Sequence, residues 1–309
     1  MMGNKTKIYF SLLLACVLYI SLKIILPQSD VTEMKENSFW LKKTLDNSTY
    51  NVVVGGDSRI YRGINPSRIE ENFKENITAI NLGYSSAGYS AQYLNFLESR
   101  LDPNSKYKIM LLGVTPHSLV EKAAENEHLN ECINKGKFEY HKSVFFEEFL
   151  LFFTTYSPAR LTQIEDVENN LEAETDGVQE TYLSNGWVKC HKTKIDSSEA
   201  IKSYIKTFKT NKFDSLVFED MLNALQRIKE NGVHIYWFRP PCAFEMKMLE
   251  NEQSGFNEEY VKTELTKLGV LWLNFEDTTF VSYDGSHLQD YSADQLSKMV
   301  GVELNKQEN

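Results

Sequence analysis

Val52-Val53-Val54-Gly55-Gly56-Asp57-Ser58-Arg59 is the stretch on which the fold turns. Three β-branched residues in succession lack the alternation of a half-exposed strand. They suit a strand covered on both faces. The two glycines let the chain turn sharply and expose the next side chain. Open α/β sheets carry their reactive groups at the carboxyl ends of strands. Ser58 is therefore a candidate nucleophile. Taken alone, Gly-Gly-Asp-Ser is also ordinary turn chemistry.

Four further runs read as buried strands: residues 77–81 (ITAIN), 108–114 (KIMLLGV), 233–238 (VHIYWF) and 270–275 (VLWLNF). Helical patterns separate them. Asn65-Pro66 opens one helix, with proline at its first position. Residues 90–101 form another. Residues 214–231 place Val217, Met221, Leu225 and Ile228 on one face, and Gly232 stops them. Residues 254–268 gather Phe256, Tyr260, Val261, Leu265 and Leu268 and stop at Gly269. The last helix is expected to start at Ser292, with Gln295 three residues on as a capping box. Such alternation predicts an α/β fold in three layers around a mainly parallel five-stranded sheet. Residues 119–212 break the pattern and read as a helical insertion, aromatic at Phe145, Phe146, Phe149, Phe152 and Phe153. This insertion is either two extra core helices or a cap lining a substrate. Residues 28–50 read as a stalk, and 51–309 as the α/β domain.

Tyr283-Asp284-Gly285-Ser286-His287-Leu288 follows the last strand and precedes the last helix. A serine nucleophile needs a base, and the base needs an acid to fix its tautomer. Asp284 and His287 stand three apart in a glycine-containing turn. That spacing lets the carboxylate reach Nδ1 while Nε2 faces outward. The alternative is a loop with a satisfied histidine. Order sharpens the first reading: serine ends the first strand, and Asp-x-x-His follows the last.

Gly56-Asp57-Ser58 with Asp284-x-x-His287 resembles the first and last blocks of the SGNH (GDSL) hydrolase superfamily, over about residues 51–305. The resemblance implies Ser58 as nucleophile, His287 as base and Asp284 as its partner. Asn81-Leu82-Gly83-Tyr84-Ser85-Ser86 resembles the second block, which implies an oxyanion-binding backbone N–H near Gly83 or Ser86, beside that of Ser58. Ser86 stands where many members have glycine. The third block departs. Gly113-Val114-Thr115-Pro116 replaces Gly-x-Asn-Asp, so the amide donor is missing. Thr115 offers a hydroxyl in its place. Arg239, in Trp237-Phe238-Arg239-Pro240-Pro241, offers a charged donor, or else a salt bridge at the sheet's edge. His117, near the same strand end as Thr115, reads as a surface histidine or one behind the site.

The amino terminus carries its own signal. Residues 8–26 (IYFSLLLACVLYISLKIIL) hold one charge, Lys23, which can snorkel to an interface. Lys5 and Lys7 precede them and favour a cytoplasmic amino terminus, with the remainder outside. No small-x-small cleavage site follows, so residues 1–27 are expected to be an uncleaved single-pass anchor rather than a signal peptide. A lipoprotein site at Cys16 fits poorly, with too little apolar sequence before it. Loss of the third-block Asn together with an anchor resembles the membrane-linked SGNH branch that acylates cell-envelope polymers. The alginate O-acetyltransferases and the D-alanyl transfer protein of teichoic acid synthesis belong there. That resemblance implies a polytopic membrane-bound O-acyltransferase as a partner.

Net charge is −10, from 43 acidic and 33 basic residues. Without the three cationic residues of segment 1–26 the remainder stands near −13. An acidic chain repels phosphate backbones, so nucleic-acid binding is not expected. The four cysteines are too few for a disulfide scaffold. Cys132 and Cys190 either pair in an oxidising compartment or remain free thiols. Asn47-Ser-Thr and Asn76-Ile-Thr match glycosylation acceptors, a pattern too common to weigh. No HExxH, phosphate loop or dinucleotide fingerprint occurs, and no metal or cofactor is expected. Three functions stand open. The first is an anchored acyltransferase with an acyl donor and a glycan acceptor. The second is an esterase with the same triad, and the third a catalytically silent glycan-binding or scaffold module.

Overall fold

The computed structural model describes residues 9–18, 33–34, 36–134, 177–275 and 278–309. A short strand β1 (Glu33–Met34) and helix α1 (Glu36–Leu45) lead into β2 (Val52–Gly56). Two short helices follow, α2 (Ser58–Gly63) and α3 (Pro66–Glu70), then β3 (Ala79–Asn81), α4 (Ala91–Ser99) and β4 (Ile109–Gly113). After a 3₁₀ turn (His117–Leu119) come α5 (Glu121–Ala124) and α6 (Glu127–Asn134). The chain continues through β5 (Gln179–Leu183), β6 (Val188–His191), α7 (Ile201–Thr210), α8 (Ser215–Glu230) and β7 (His234–Phe238). It ends with α9 (Phe244–Gln253), α10 (Glu258–Lys267), β8 (Leu271–Trp272) and α11 (Asp290–Glu308).

Five strands form one parallel sheet in the order β3-β2-β4-β7-β8. Alternate side chains leave each strand on opposite faces. Val53, Met110, Leu112, Ile235 and Trp237 pack towards α4, α8 and α10. Val52, Val54, Ile109, Leu111, Tyr236 and Phe238 pack towards α2, α3 and α11. Apolar cover on both faces explains why these strands read as continuous hydrophobic runs. From β2 the chain moves first to one neighbour, β3, and then across to the other, β4. The crevice at the carboxyl ends of β2 and β4 is thus a topological switch point, where open sheets bind their ligands.

Several expectations change. Of the stalk expected over 28–50, residues 28–32 and 35 lie outside the described residues, and α1 packs on the domain, with Phe39 buried to 1% exposure against Tyr61, Val188, Cys190 and Tyr283. The insertion begins helically with α5 and α6 but returns as a hairpin. There β5 and β6 pair antiparallel and join β1 in a second, three-stranded sheet. Its aromatic stretch from Phe145 to Phe153 lies outside the described residues. The expected helix over 254–268 begins later, at Glu258, with Asn257 as its N-cap, whose side chain accepts from Tyr260 N–H. The last helix begins at Asp290, not Ser292. Ser292 forms no capping box, because its hydroxyl accepts from Val281 N–H at 2.9 Å. All four cysteines are free, so Cys132 and Cys190 do not pair. Of the amino-terminal apolar segment, residues 9–18 are helical, and residues 8 and 19–26 lie outside the described residues. Among the described residues no helix is long and apolar enough to cross a membrane.

Candidate active site

The turn after β2 is built by glycine and a cap. Gly56 has φ +147°, and a side chain there would meet Ile60 Cγ1 at 2.4 Å. Its N–H donates to Tyr93 Oη at 3.0 Å. Asp57 is the N-cap of α2: Oδ1 accepts from Arg59 N–H at 3.0 Å, and Oδ2 accepts from the Thr115 hydroxyl at 2.6 Å. Ser58 is then the first residue of α2, with its side chain partly exposed. Its backbone N–H belongs to the first helical turn, which has no intrahelical acceptor.

The facing turn is tied to itself. Tyr283 N–H donates to His287 O at 2.9 Å. Asp284 Oδ1 accepts from Ser286 N–H at 2.8 Å and His287 N–H at 2.7 Å. Gly285 has φ +94°, and a side chain there would meet Ser197 O at 2.0 Å. The segment after β6 straps this turn, with Asp196 N–H on Tyr283 O and Ala200 N–H on Asp284 O. Tyr283 stacks on the His287 ring, centroids 5.8 Å apart.

These two turns meet. His287 Nε2 lies 2.9 Å from Ser58 Oγ, and His287 Nδ1 lies 2.7 Å from Asp284 Oδ2. An ionised carboxylate only accepts, so the Nδ1 proton faces Asp284. With the ring neutral, Nε2 accepts from the serine hydroxyl. Burial would raise the Asp284 pKa, but the donors from His287 and Ser286 outweigh it and hold it at about 2. Asp284 is thus ionised at neutral pH. The chain Asp284–His287–Ser58 can accept a proton from the hydroxyl and keep the resulting imidazolium beside a charge.

The other residues named from sequence are not all free to act. Thr115 is buried and its hydroxyl is committed to Asp57. Gly83 N–H donates to Asn81 Oδ1 at 2.9 Å, and a side chain there would meet Tyr61 N at 2.8 Å. Ser86 takes φ +52°, the conformation glycine adopts most easily, and is exposed. Arg239 takes the salt-bridge alternative. Its amino groups bond Glu250 at 2.9 Å, Asn251 at 3.0 Å and Glu258.

Arg59 escaped sequence reasoning. It is 3% exposed, and its Nη2 pairs with Glu250 Oε1 at 2.5 Å. Nε donates to Ser286 Oγ at 3.0 Å. One guanidinium therefore binds the helix of Ser58 to the turn of His287, and Glu250 joins it to Arg239. A Ser-Arg dipeptide carries no mark of such a bridge, because its two partners lie 191 and 227 positions away.

No protein-family model matches the chain, and no curated protein does. Among solved structures the chain is similar to a lipase/acylhydrolase from Enterococcus faecalis. Identity is 11%, the match covers 83% of this chain and 95% of that one, and the TM-score is 0.40. It is also similar to a protein of Streptococcus pneumonia named for platelet activating factor. Identity there is 12%, coverage 98% and 100%, and the TM-score 0.36.

Proposed function

We propose that this chain is a serine acyltransferase of the SGNH type, anchored by its amino-terminal segment and facing away from the cytoplasm. The observation that carries the reading is the hydrogen-bonded chain from Asp284 Oδ2 through His287 to Ser58 Oγ, at 2.7 and 2.9 Å. Ser58 Oγ attacks the carbonyl of an acyl donor while His287 Nε2 takes its proton. The carbonyl oxygen gains negative charge facing the first turn of α2. When the ester bond breaks, His287 returns the proton to the leaving oxygen, and an acyl-Ser58 remains. An acceptor hydroxyl then repeats the sequence from the other side. Its proton passes to His287, its oxygen bonds the acyl carbon, and Ser58 recovers its proton. We take the acceptor to be a hydroxyl of a cell-envelope or exported glycan. An acidic domain near −13 suits a neutral polymer better than a phosphate-rich one. A polytopic membrane-bound O-acyltransferase is the partner proposed to supply the donor.

A fluorophosphonate probe tests the reading. Wild-type protein is expected to label covalently and Ser58→Ala not at all. Absence of labelling in wild type would leave a silent binding module. Given labelling, an acyl-ester donor with an oligosaccharide separates the two chemistries: transfer supports the proposal, and free acid alone makes the protein an esterase.

A further inference from the structure

Among the buried side-chain atoms without a hydrogen-bond partner, Arg59 Nη1, Tyr283 Oη and His117 Nδ1 belong to the segments around Ser58 and His287. An acyl-transfer site must offer N–H or O–H groups to the oxygen that becomes negative. The Thr115 hydroxyl is given to Asp57, Gly83 N–H to Asn81, and the Arg239 amino groups to Glu250, Asn251 and Glu258. Tyr84 N–H is on Gly56 O, and Ala87 N–H on Tyr84 O. Neither Ser58 N–H nor Ser86 N–H is given to a partner in this way, so the backbone can supply two donors, and the side-chain donor of the third block is what the site lacks.

His117 stands on the other lip of the same crevice. The register pairs Gly56 with Gly113, so the chain leaving β2 as Asp57-Ser58 runs beside the chain leaving β4 as Val114-Thr115-Pro116-His117. The Thr115–Asp57 bond of 2.6 Å pins the two exits together. Reciprocal bonds fix the turn that carries the ring: Thr115 N–H on Ser118 Oγ at 3.0 Å, and Ser118 N–H on Thr115 Oγ1 at 3.1 Å. The charged groups whose fields act on the imidazole are Asp57, Arg59, Glu250 and Lys122. Two of them flank Ser58.

The ring's own chemistry sets which atom is offered. Nδ1 is buried and has no hydrogen-bond partner, whereas the residue as a whole is partly exposed. Nε2 is therefore the reachable nitrogen. Burial, only partly offset by the nearby carboxylates, holds the His117 pKa below the usual histidine value. The ring is neutral and carries one N–H. A buried N–H without an acceptor is rarer and costlier than an unfilled lone pair. The proton accordingly resides on Nε2, where solvent or substrate can accept it. Neutral imidazole can polarise a carbonyl without bringing a charge that must first be desolvated.

We infer that His117 is a catalytic hydrogen-bond donor, its Nε2–H meeting the acyl carbonyl oxygen as that oxygen turns into the oxyanion on Ser58. The inference rests on the acyl-serine reading of the site. The test uses 4-nitrophenyl acetate and a fluorophosphonate probe on the full-length chain, with wild type, Ser58→Ala, His117→Phe, His117→Leu and His117→Gln. Phe and Leu fill space without a donor, whereas the Gln amide keeps an N–H near the Nε2 position. Loss of one oxyanion donor slows turnover by roughly 10²-fold or more. Both non-donor variants should therefore lose about 10²-fold in kcat, with KM changed less than about threefold. Gln should recover at least about tenfold of that loss. Thermal unfolding identifies any variant that fails to fold, and the remaining non-donor variant then stands for both. Phe and Leu variants with wild-type kcat, beside an inactive Ser58→Ala, overturn the inference alone. A Gln variant as slow as Phe also overturns it, because the donor is then not what His117 supplies. A wild type inert to both reagents overturns the acyl-serine reading and the inference together.

Discussion

Asp284 uses one carboxylate for two tasks. Oδ1 gathers the N–H groups of Ser286 and His287 and so shapes the turn, while Oδ2 orients the His287 ring. The held-down pKa, about 2 against an ordinary 3.8, makes this a stability term as well. A depressed carboxylate pKa stabilises the fold fully above the unfolded value and loses that contribution as pH falls through the folded one. Asp284→Asn should therefore unfold about 2 kcal/mol more easily than wild type at pH 6, with the gap closing as pH falls towards 2. Chemical denaturation at stepped pH reads this directly. The same variant should lose roughly 10⁴-fold in kcat, because a neutral amide lets the ring take the wrong tautomer. Ser58, Asp284 and His287 were legible because their order along an α/β chain restricts where they can sit. The salt bridge of Arg239 was one of its two readings, but Thr115 and Gly83 were not legible as occupied groups. Thr115 is spent on Asp57, 58 positions earlier, which only folding brings close, whereas Gly83 N–H is spent locally on Asn81.

Among the elements, α11 shows how an ordinary-looking helix is specified by contact. Gly301 lies against α3, and a Cβ there would stand 3.0 Å from Ile69 Cα and 3.1 Å from Arg68 O. Those neighbours are backbone and cannot swing aside. Ser297 Oγ also accepts from Asn65 N–H at 2.8 Å, and Asp294 pairs with Arg68 at 2.9 Å. Gly301→Leu should thus push the two helices apart and destabilise the protein by about 1–3 kcal/mol. Urea unfolding of the purified variant measures this, and wild-type stability would refute the close packing. Strong periodicity made α8 readable: Met221, Leu225 and Ile228 are buried as expected, and Asp214 caps the helix. Weak periodicity hid α9, which exposes Phe244 at 72% yet buries Glu250 completely. The β5–β6 hairpin was hidden for a related reason. Its residues QETYL and VKCH are mixed and short, and they pack against α1 and Tyr283, which are remote in sequence.

On the scale of the whole molecule, charge and hydropathy divide the chain unequally. The first 26 residues carry three lysines and no acid, whereas the rest is strongly acidic. In residues 9–18 the apolar side chains are exposed, Tyr9 at 71%, Leu13 at 63% and Leu18 at 56%. Contiguous exposed apolar surface calls for a cover such as a bilayer or a partner. We expect the full-length protein in the membrane fraction and a chain lacking residues 1–26 in the soluble fraction, with its fluorophosphonate labelling retained. Full-length protein in the supernatant would sink the anchor. Retained labelling follows from the α/β domain burying its core without any described contact to residues 9–18.

By itself the sequence determined the parallel α/β sheet, the position of Ser58 at a strand end and the Asp284–His287 spacing. Those features are local: a buried strand needs consecutive apolar residues, and a turn needs glycine at a particular step. Only the tertiary structure decided which polar groups remain available around Ser58. Hydrogen-bond capacity is finite, and the partners of Thr115 and Arg59 come from turns and helices far apart in the chain. Folding turned Thr115, Gly83 and Arg239 into supports, made Arg59 the bridge between the turns of Ser58 and His287, and left His117 Nδ1 buried without a partner.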